Sequence, residues 1–129
     1  MKDPSKTNLE KQCLDLWSRC VRTKQRVCRI CGSTYRLQGH HIRSRGNAST
    51  RYDLQNGLCL CSRCHILQKF NPERFQDNVI SVIGEAEYRR LKLKSLQTYK
   101  WTVTELKELK GEFKMILRDL EDEYGVLIT

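Results

Sequence analysis

The chain has 129 residues and a formal net charge of +9, with 24 Lys and Arg against 15 Asp and Glu. This length favours one small domain with a modest core over two independent domains. No apolar run approaches the roughly 20 residues needed to span a bilayer, and the N-terminal segment does not resemble a signal peptide. We therefore expect a soluble, cytoplasmic protein without a membrane partner.

The positive charge lies in the first three-quarters of the chain. Residues 1–101 contain 20 Lys and Arg against 8 Asp and Glu, whereas residues 102–129 contain 4 against 7. A strongly basic surface attracts polyanions such as nucleic acid. The charge distribution therefore predicts a nucleic-acid partner for the first part of the chain.

Residues 1–26 are predicted to form an N-terminal amphipathic helix. Asn8 stands just before the apolar stripe and is predicted to cap the helix. The stripe consists of Leu9, Cys13, Leu16, Trp17 and Cys20. From residue 27 to 70 the helical period disappears, and glycine, serine, asparagine and cysteine predict short strands and ordered loops. We expect the functional core in residues 27–70.

Residues 71–129 are predicted to form a helical extension. Asn71 and Pro72 have the pattern of a helix cap and first helical residue, and this helix is expected to end near Gly84. A second helix is predicted from residue 85 to about residue 97. The third begins at Thr102, which has capping-box spacing with Glu105. Its apolar stripe runs to Tyr124 and would pack either on the N-terminal helix or on a second copy, giving a monomer or a homodimer.

Four of the seven cysteines form two Cys-x-x-Cys motifs. Cys28 and Cys31 lie in "CRIC", and Cys61 and Cys64 lie in "CSRC". Four thiolates complete the tetrahedral shell of one structural Zn²⁺, whereas an odd number of cysteines in a reducing compartment argues against a disulfide framework. The other three, Cys13, Cys20 and Cys59, are predicted to pack in the core.

The three histidines are the candidate catalytic residues. His40 and His41 are adjacent between the two cysteine motifs, and His65 directly follows the second motif. Either His40 or His65 could bind the structural zinc, but four cysteines already complete its shell. A neutral imidazole can take a proton from water near pH 7, and imidazole also binds metals. Neighbouring strand residues point to opposite faces, so both rings can serve one site only if the chain bends at Gly39 or the site straddles the strand edge.

The order of these residues resembles the HNH endonuclease family. Between Val27 and Phe70 the chain contains His-His-Ile, then Asn56, then the second cysteine motif followed by His65. The resemblance implies an α+β fold: a small ββα-metal core with a Cys₄ zinc site, flanked by the N-terminal and C-terminal helices. The segment from Thr50 onward also resembles the phage NinG/Rap recombination nucleases, which implies branched DNA, recombination and a bacterial host cell.

The HNH resemblance also implies a role for each site residue. His40 corresponds to a ligand of a catalytic divalent metal, His41 to the general base, and His65 to a metal ligand on a helix. Asn56 corresponds to a residue that contacts the metal or holds the base. Because this set contains no carboxylate, we expect Mn²⁺, Ni²⁺ or Co²⁺ to support activity better than Mg²⁺.

Basic side chains surround the histidines and are predicted to grip the DNA backbone. Arginine makes bidentate contacts with phosphate, and no segment resembles a base-reading helix, so double-stranded DNA is expected to bind without sequence specificity. The candidates are Arg43, Arg45, Arg51, Arg63 and Lys69. Two other functions remain open. A non-catalytic zinc-stabilised DNA-binding module leaves the histidines unexplained, and a Cys₄ adaptor for protein partners leaves the arginines unexplained.

Overall fold

The computed structural model describes residues 4–128, which form five helices and one small sheet. In chain order the elements are α1 (Pro4–Gln25), β1 (Leu37–His41), a 3₁₀ turn (Leu54–Asn56), β2 (Gly57–Cys61), α2 (Ser62–Leu67), α3 (Pro72–Ile83), α4 (Glu85–Ser95) and α5 (Val103–Tyr124). The predicted α+β class is confirmed. None of the helices within residues 4–128 is both long enough and apolar enough to cross a membrane.

The sheet is a single antiparallel pair that fills the segment between the two cysteine motifs. β1 and β2 pair from Leu37 opposite Cys61 to His41 opposite Gly57. The register continues through Gly39, which pairs with Cys59, so the strand does not bend at the glycine. The two histidines therefore leave β1 on opposite faces.

Helices α1 and α5 pack against each other along their apolar stripes. Leu106, Phe113 and Leu117 of α5 are buried. The Cys13 thiol donates to the carbonyl oxygen of Leu106 at 3.4 Å, and the Cys20 thiol donates to that of Phe113 at 3.6 Å. The α5 stripe is thus used within the chain, and the prediction that Cys13, Cys20 and Cys59 are buried core residues is confirmed.

The predicted helix caps are confirmed for α3 and α5 but not for α1. Asn71 accepts a hydrogen bond from the Arg74 backbone, and Thr102 and Glu105 form a capping box. The prediction of Asn8 as the cap of α1 is wrong, because the helix already begins at Pro4 and includes Asn8. Proline is well suited to a first helical turn, where its missing N–H has no intrahelical partner.

Helix α4 is fastened to the loop before β2 through Asp53. The carboxylate accepts hydrogen bonds from Lys94 Nζ at 2.8 Å and from Arg90 Nη2 at 3.4 Å. It also accepts the backbone N–H of Gln55 at 2.9 Å and so caps the 3₁₀ turn. Burial alone would raise the pKa of Asp53, but these partners keep it below its usual value.

Helix α1 lies so close to the sheet that it leaves no room for a side chain at Gly57. A Cβ there would lie 2.3 Å from Val21 Cγ2 and 3.0 Å from Trp17 Cζ2. Both neighbours are almost fully buried and cannot move aside freely. The absence of a side chain at the start of β2 therefore allows α1 to pack on the sheet.

We expect Gly57→Ala to lower the free energy of unfolding by about 2 kcal/mol, because overpacking a core costs about that much. The matched control is Gly111→Ala on α5, where an added Cβ meets nothing within 4 Å. That variant should gain about 1 kcal/mol from helix propensity. Urea unfolding of both zinc-loaded variants measures the difference, and equal stabilities would contradict the close packing of α1 on the sheet.

Candidate functional site

The four predicted zinc ligands converge on one point. The sulfur atoms of Cys28, Cys31, Cys61 and Cys64 all lie within 4.8 Å of one another, and those of Cys31 and Cys61 are 3.6 Å apart. A tetrahedron with Zn–S bonds of 2.3 Å has edges of about 3.8 Å. The cluster therefore fits a single Zn²⁺, as the two motifs predicted.

The backbone around the cluster favours the thiolate form of Cys28. Burial raises the pKa of Cys28, but hydrogen bonds from the backbone of Cys31, Cys61 and Ile30 outweigh it and lower the pKa to about 7. Cys61 accepts the backbone N–H of Cys64 and so caps α2. The second motif thus joins the end of β2 to the start of α2. A bound cation would connect these two elements to the loop after α1, which carries Cys28 and Cys31.

His40 and His65 lie together on one side of β1. Their ring centroids are 5.2 Å apart and the rings are nearly perpendicular. Phe75 of α3 packs edge-on against the His40 ring at 5.2 Å, and Gln68 Nε2 lies 3.5 Å from His40 Nδ1. The structure therefore brings together the two histidines predicted as metal ligands, and two imidazoles can hold a divalent transition metal.

His41 lies on the other face of β1, where two contacts set its orientation. Its ring stacks on Trp17 of α1 with centroids 3.8 Å apart and planes within 10°. Its Nε2 lies 2.9 Å from the carbonyl oxygen of Arg51. Because a carbonyl only accepts hydrogen bonds, Nε2 carries the proton in this contact, and Nδ1 of the neutral ring is left as a proton acceptor.

Asn56 does not face the histidine pair. Its side chain is fully buried, and Oδ1 accepts the backbone N–H of Arg43 at 2.7 Å. Its Nδ2 donates to the carbonyl oxygens of Arg43 at 3.0 Å and Thr50 at 3.1 Å. The role of metal ligand does not fit, because backbone groups already occupy both ends of the amide. Instead, Asn56 fixes the loop whose Arg51 carbonyl contacts His41.

The three histidines line one open cleft of about 790 Å³. Both residues of the adjacent pair line this cleft without a bend at Gly39. Arg43 and Arg45 line the same cleft. Arg43 is held from α4, since its Nε donates to Ser95 Oγ at 3.2 Å and its Nη1 to Tyr88 Oη at 3.4 Å.

The other predicted DNA contacts lie outside the wall of the cleft. Arg51 donates through Nε to the carbonyl oxygen of Arg45 at 2.7 Å. Its guanidinium group therefore stabilises the loop, and this role accounts for Arg51 better than a contact with phosphate. Arg63 on α2 and Lys69 just after it are exposed. The structure thus brings Arg43 and Arg45 to the histidines and leaves Arg63 and Lys69 on the surface beside α2.

Burial keeps the histidines in their neutral form. It lowers the pKa of His40 to about 4, and repulsion from His65 and His41 acts in the same direction. The pKa values of His41 and His65 are also lowered, chiefly by burial. Neutral imidazole is the form that binds a metal or accepts a proton, so all three rings suit those roles near pH 7.

Three side chains that complete the site had no functional signal in the sequence. Trp17 and Phe75 had the pattern of core residues, and Gln68 belonged to no motif. Each contacts a histidine only because a separate helix or turn folds back on β1. A contact between residues so far apart in sequence leaves no local pattern that could reveal it.

We expect the purified chain to hold one zinc ion, and Cys31→Ser to lose it. Cys31 is exposed, so the substitution removes a ligand without opening a cavity in the core. The control Cys20→Ala changes a buried cysteine of the α1 stripe and should keep the zinc. Elemental analysis of both variants measures the metal content. Retention of a full equivalent in Cys31→Ser would contradict the assigned ligand set.

We expect the His40 ring to remain neutral at about pH 5.5, where an ordinary histidine is mostly protonated. The pKa in the folded chain, about 4, lies below the ordinary value of 6.5, so protonation favours the unfolded state. The free energy of unfolding should therefore fall as the pH drops from 6.5 toward 4. Long-range ¹H–¹⁵N spectra of the zinc-loaded protein report the protonation state, and a charged His40 ring at pH 5.5 would contradict the buried environment.

Comparison with known proteins places the chain in one family. No curated protein and no solved structure gives a match. A family model described as "Bacteriophage Lambda NinG protein" matches residues 4–123, which is nearly the whole chain. The match agrees with the resemblance to NinG/Rap proteins, whereas the resemblance to HNH endonucleases remains a prediction. The chain belongs to the phage NinG family, which is related to recombination, and it carries a four-cysteine site suited to zinc.

Proposed function

We propose that this chain is a metal-dependent DNA endonuclease of the HNH type. The observation that carries the proposal is the convergence of three neutral histidines on one cleft, beside two arginines. A purely structural role for the histidines would not require all three residues to line the same open cleft. A DNA-binding module without catalysis would use the zinc site and the arginines but leave this convergence unexplained.

His41 is the proposed general base. The Trp17 stack and the Arg51 carbonyl hold its ring so that Nδ1 is the free acceptor. Nδ1 takes a proton from water as the water oxygen forms a bond to phosphorus. The bond from phosphorus to the 3′ oxygen breaks, and this oxygen takes a proton from a second water molecule, which leaves a 5′ phosphate and a 3′ hydroxyl.

His40 and His65 are the proposed ligands of the catalytic metal. When bound, a divalent ion supplies positive charge next to the phosphate and the leaving 3′ oxygen. Within residues 4–128, no carboxylate joins this pair to form a cluster of three potential ligands. Asp53, an acidic residue in the neighbouring loop, is bound to Lys94 and Arg90. Any further ligands of such an ion would therefore have to come from water or from the DNA phosphate.

The arginines and Asn56 have supporting roles in this proposal. Arg43 and Arg45 contact phosphates of the bound strand, and the attachment of Arg43 to α4 limits the motion of its guanidinium group. Asn56 is a positioning residue that acts through the loop carrying the Arg51 carbonyl. The family membership favours a branched or otherwise structured DNA from phage recombination over a specific base sequence.

We expect His41→Ala to slow cleavage of plasmid and branched DNA by about 100-fold or more, the usual loss on removing a general base. His65→Ala should also lose most activity and should need more metal. The control Gln12→Ala replaces an exposed residue outside the cleft and should cleave like the parent. Circular dichroism and zinc content test whether each variant is folded. A His41→Ala variant as fast as the parent would refute the assigned base.

The ligand set also predicts which metals support cleavage. Two imidazoles without a carboxylate favour Mn²⁺, Ni²⁺ or Co²⁺ over Mg²⁺, which prefers oxygen ligands. Initial cleavage rates with each metal at the same concentration measure this preference, with Gln12→Ala again as the control. Equal rates with Mg²⁺ and Mn²⁺ would contradict the two-histidine site.

A further inference from the structure

A second groove lies beside the histidine cleft. Its volume is about 330 Å³, and Ile30, Leu67 and Phe70 contribute apolar wall. Gln68 and Phe75 line both the groove and the cleft. The two spaces are therefore neighbours that share a wall, and that wall includes the residues in contact with His40.

The groove carries an exposed aromatic ring. Phe70 stands between α2 and α3, and 78% of its surface is accessible to solvent. Leu67 on α2, which also lines the groove, is 48% exposed. A group of apolar side chains in water has an unfavourable hydration free energy, and such surfaces mark interaction sites.

The polar groups of the groove suit a nucleobase. Gln68 and Asn78 present side-chain amides, which can both donate and accept hydrogen bonds at a base edge. Arg74 also lines the groove, and Arg63 and Lys69 are exposed nearby in sequence. Residues 62–76 contain these three cations and one acidic residue, Glu73, so the segment carries a net positive charge. This combination of aromatic ring, amides and cations resembles single-strand binding surfaces more than a protein-docking face.

We propose that this groove binds an unpaired base of a DNA strand whose backbone enters the histidine cleft. The base stacks on Phe70, and Arg74 and Lys69 contact the adjoining phosphates. This inference deepens the proposed function, since it takes the same DNA as ligand. A fully paired duplex cannot offer such a base without first unstacking it, so the groove selects forked or single-stranded DNA over paired duplex.

The experiment measures DNA binding rather than cleavage. Zinc-loaded protein without any other divalent metal is titrated into a labelled forked duplex and into a fully paired duplex of the same length. A 2-aminopurine base in the unpaired arm reports stacking by loss of fluorescence. The variants are Phe70→Ala, Phe70→Trp and the control Leu96→Ala, which removes a side chain of similar exposure, 72%, that does not line the groove.

Phe70→Ala should weaken binding to the forked DNA by about 10-fold, which is within the range seen when a base loses its aromatic partner. It should leave binding to the paired duplex unchanged. The 2-aminopurine fluorescence should then no longer fall when the protein binds. Phe70→Trp should restore both, and Leu96→Ala should behave like the parent. The base groove would be refuted by an equal loss for both DNAs, by no loss for either, or by a parent protein with no preference for forked DNA.

Failure of the proposed catalysis would look different. Cleavage by His41→Ala tests the catalysis separately, because His41 lines the cleft and not the groove. If His41→Ala still cleaves DNA, the base assignment fails while the stacking result stands. If Phe70→Ala binds normally but His41→Ala is inactive, the groove fails and the nuclease stands.

Discussion

The placement of the candidate site depends on the four-cysteine cluster. Cys61 ends β2 and caps α2, and His65 is the next residue after Cys64. A metal bound by the cluster would therefore fix the angle at which α2 leaves the sheet and hence the distance between His65 and His40. A six-residue helix has too few hydrogen bonds to hold that angle alone. Although no cysteine of residues 4–128 lines the histidine cleft, the cluster determines whether the histidines meet.

Hydrogen bonds from Asn56 to the backbone of the loop between β1 and β2 stabilise the part of the site around His41. The long connection between β1 and β2 would leave many polar backbone groups without partners, and Asn56 pairs with three of them from a fully buried position. A buried amide with all its partners is rigid, because losing one bond leaves an unsatisfied group in a dry interior. The same loop carries the Arg51 carbonyl, so the order that Asn56 imposes extends to the ring of His41.

Short-range sequence patterns predicted much of the fold, but they could not predict contacts between segments that are distant in the sequence. The cysteine spacing, the capping box at Thr102 and the apolar stripe of α5 are short-range patterns, and the structure contains each of them. The start of α1 was misplaced because Asn8, although its residue type is typical of a helix cap, lies inside the helix. The side chain of Asn56 could not be placed from its position in a motif, since its partners are set by the folded loop.

The stack of Trp17 on His41 bears on how such a motif can change over evolution. The ring of His41, the proposed base, is held by Trp17 on α1, which precedes the first zinc cysteine in the sequence. The segment between the two cysteine motifs therefore does not contain everything that orients the histidines. Grafting it onto another scaffold would transfer the histidines without the surface that orients them. Relatives that replace this tryptophan would need a compensating contact from elsewhere, and the N-terminal helix is therefore expected to vary together with the histidine loop.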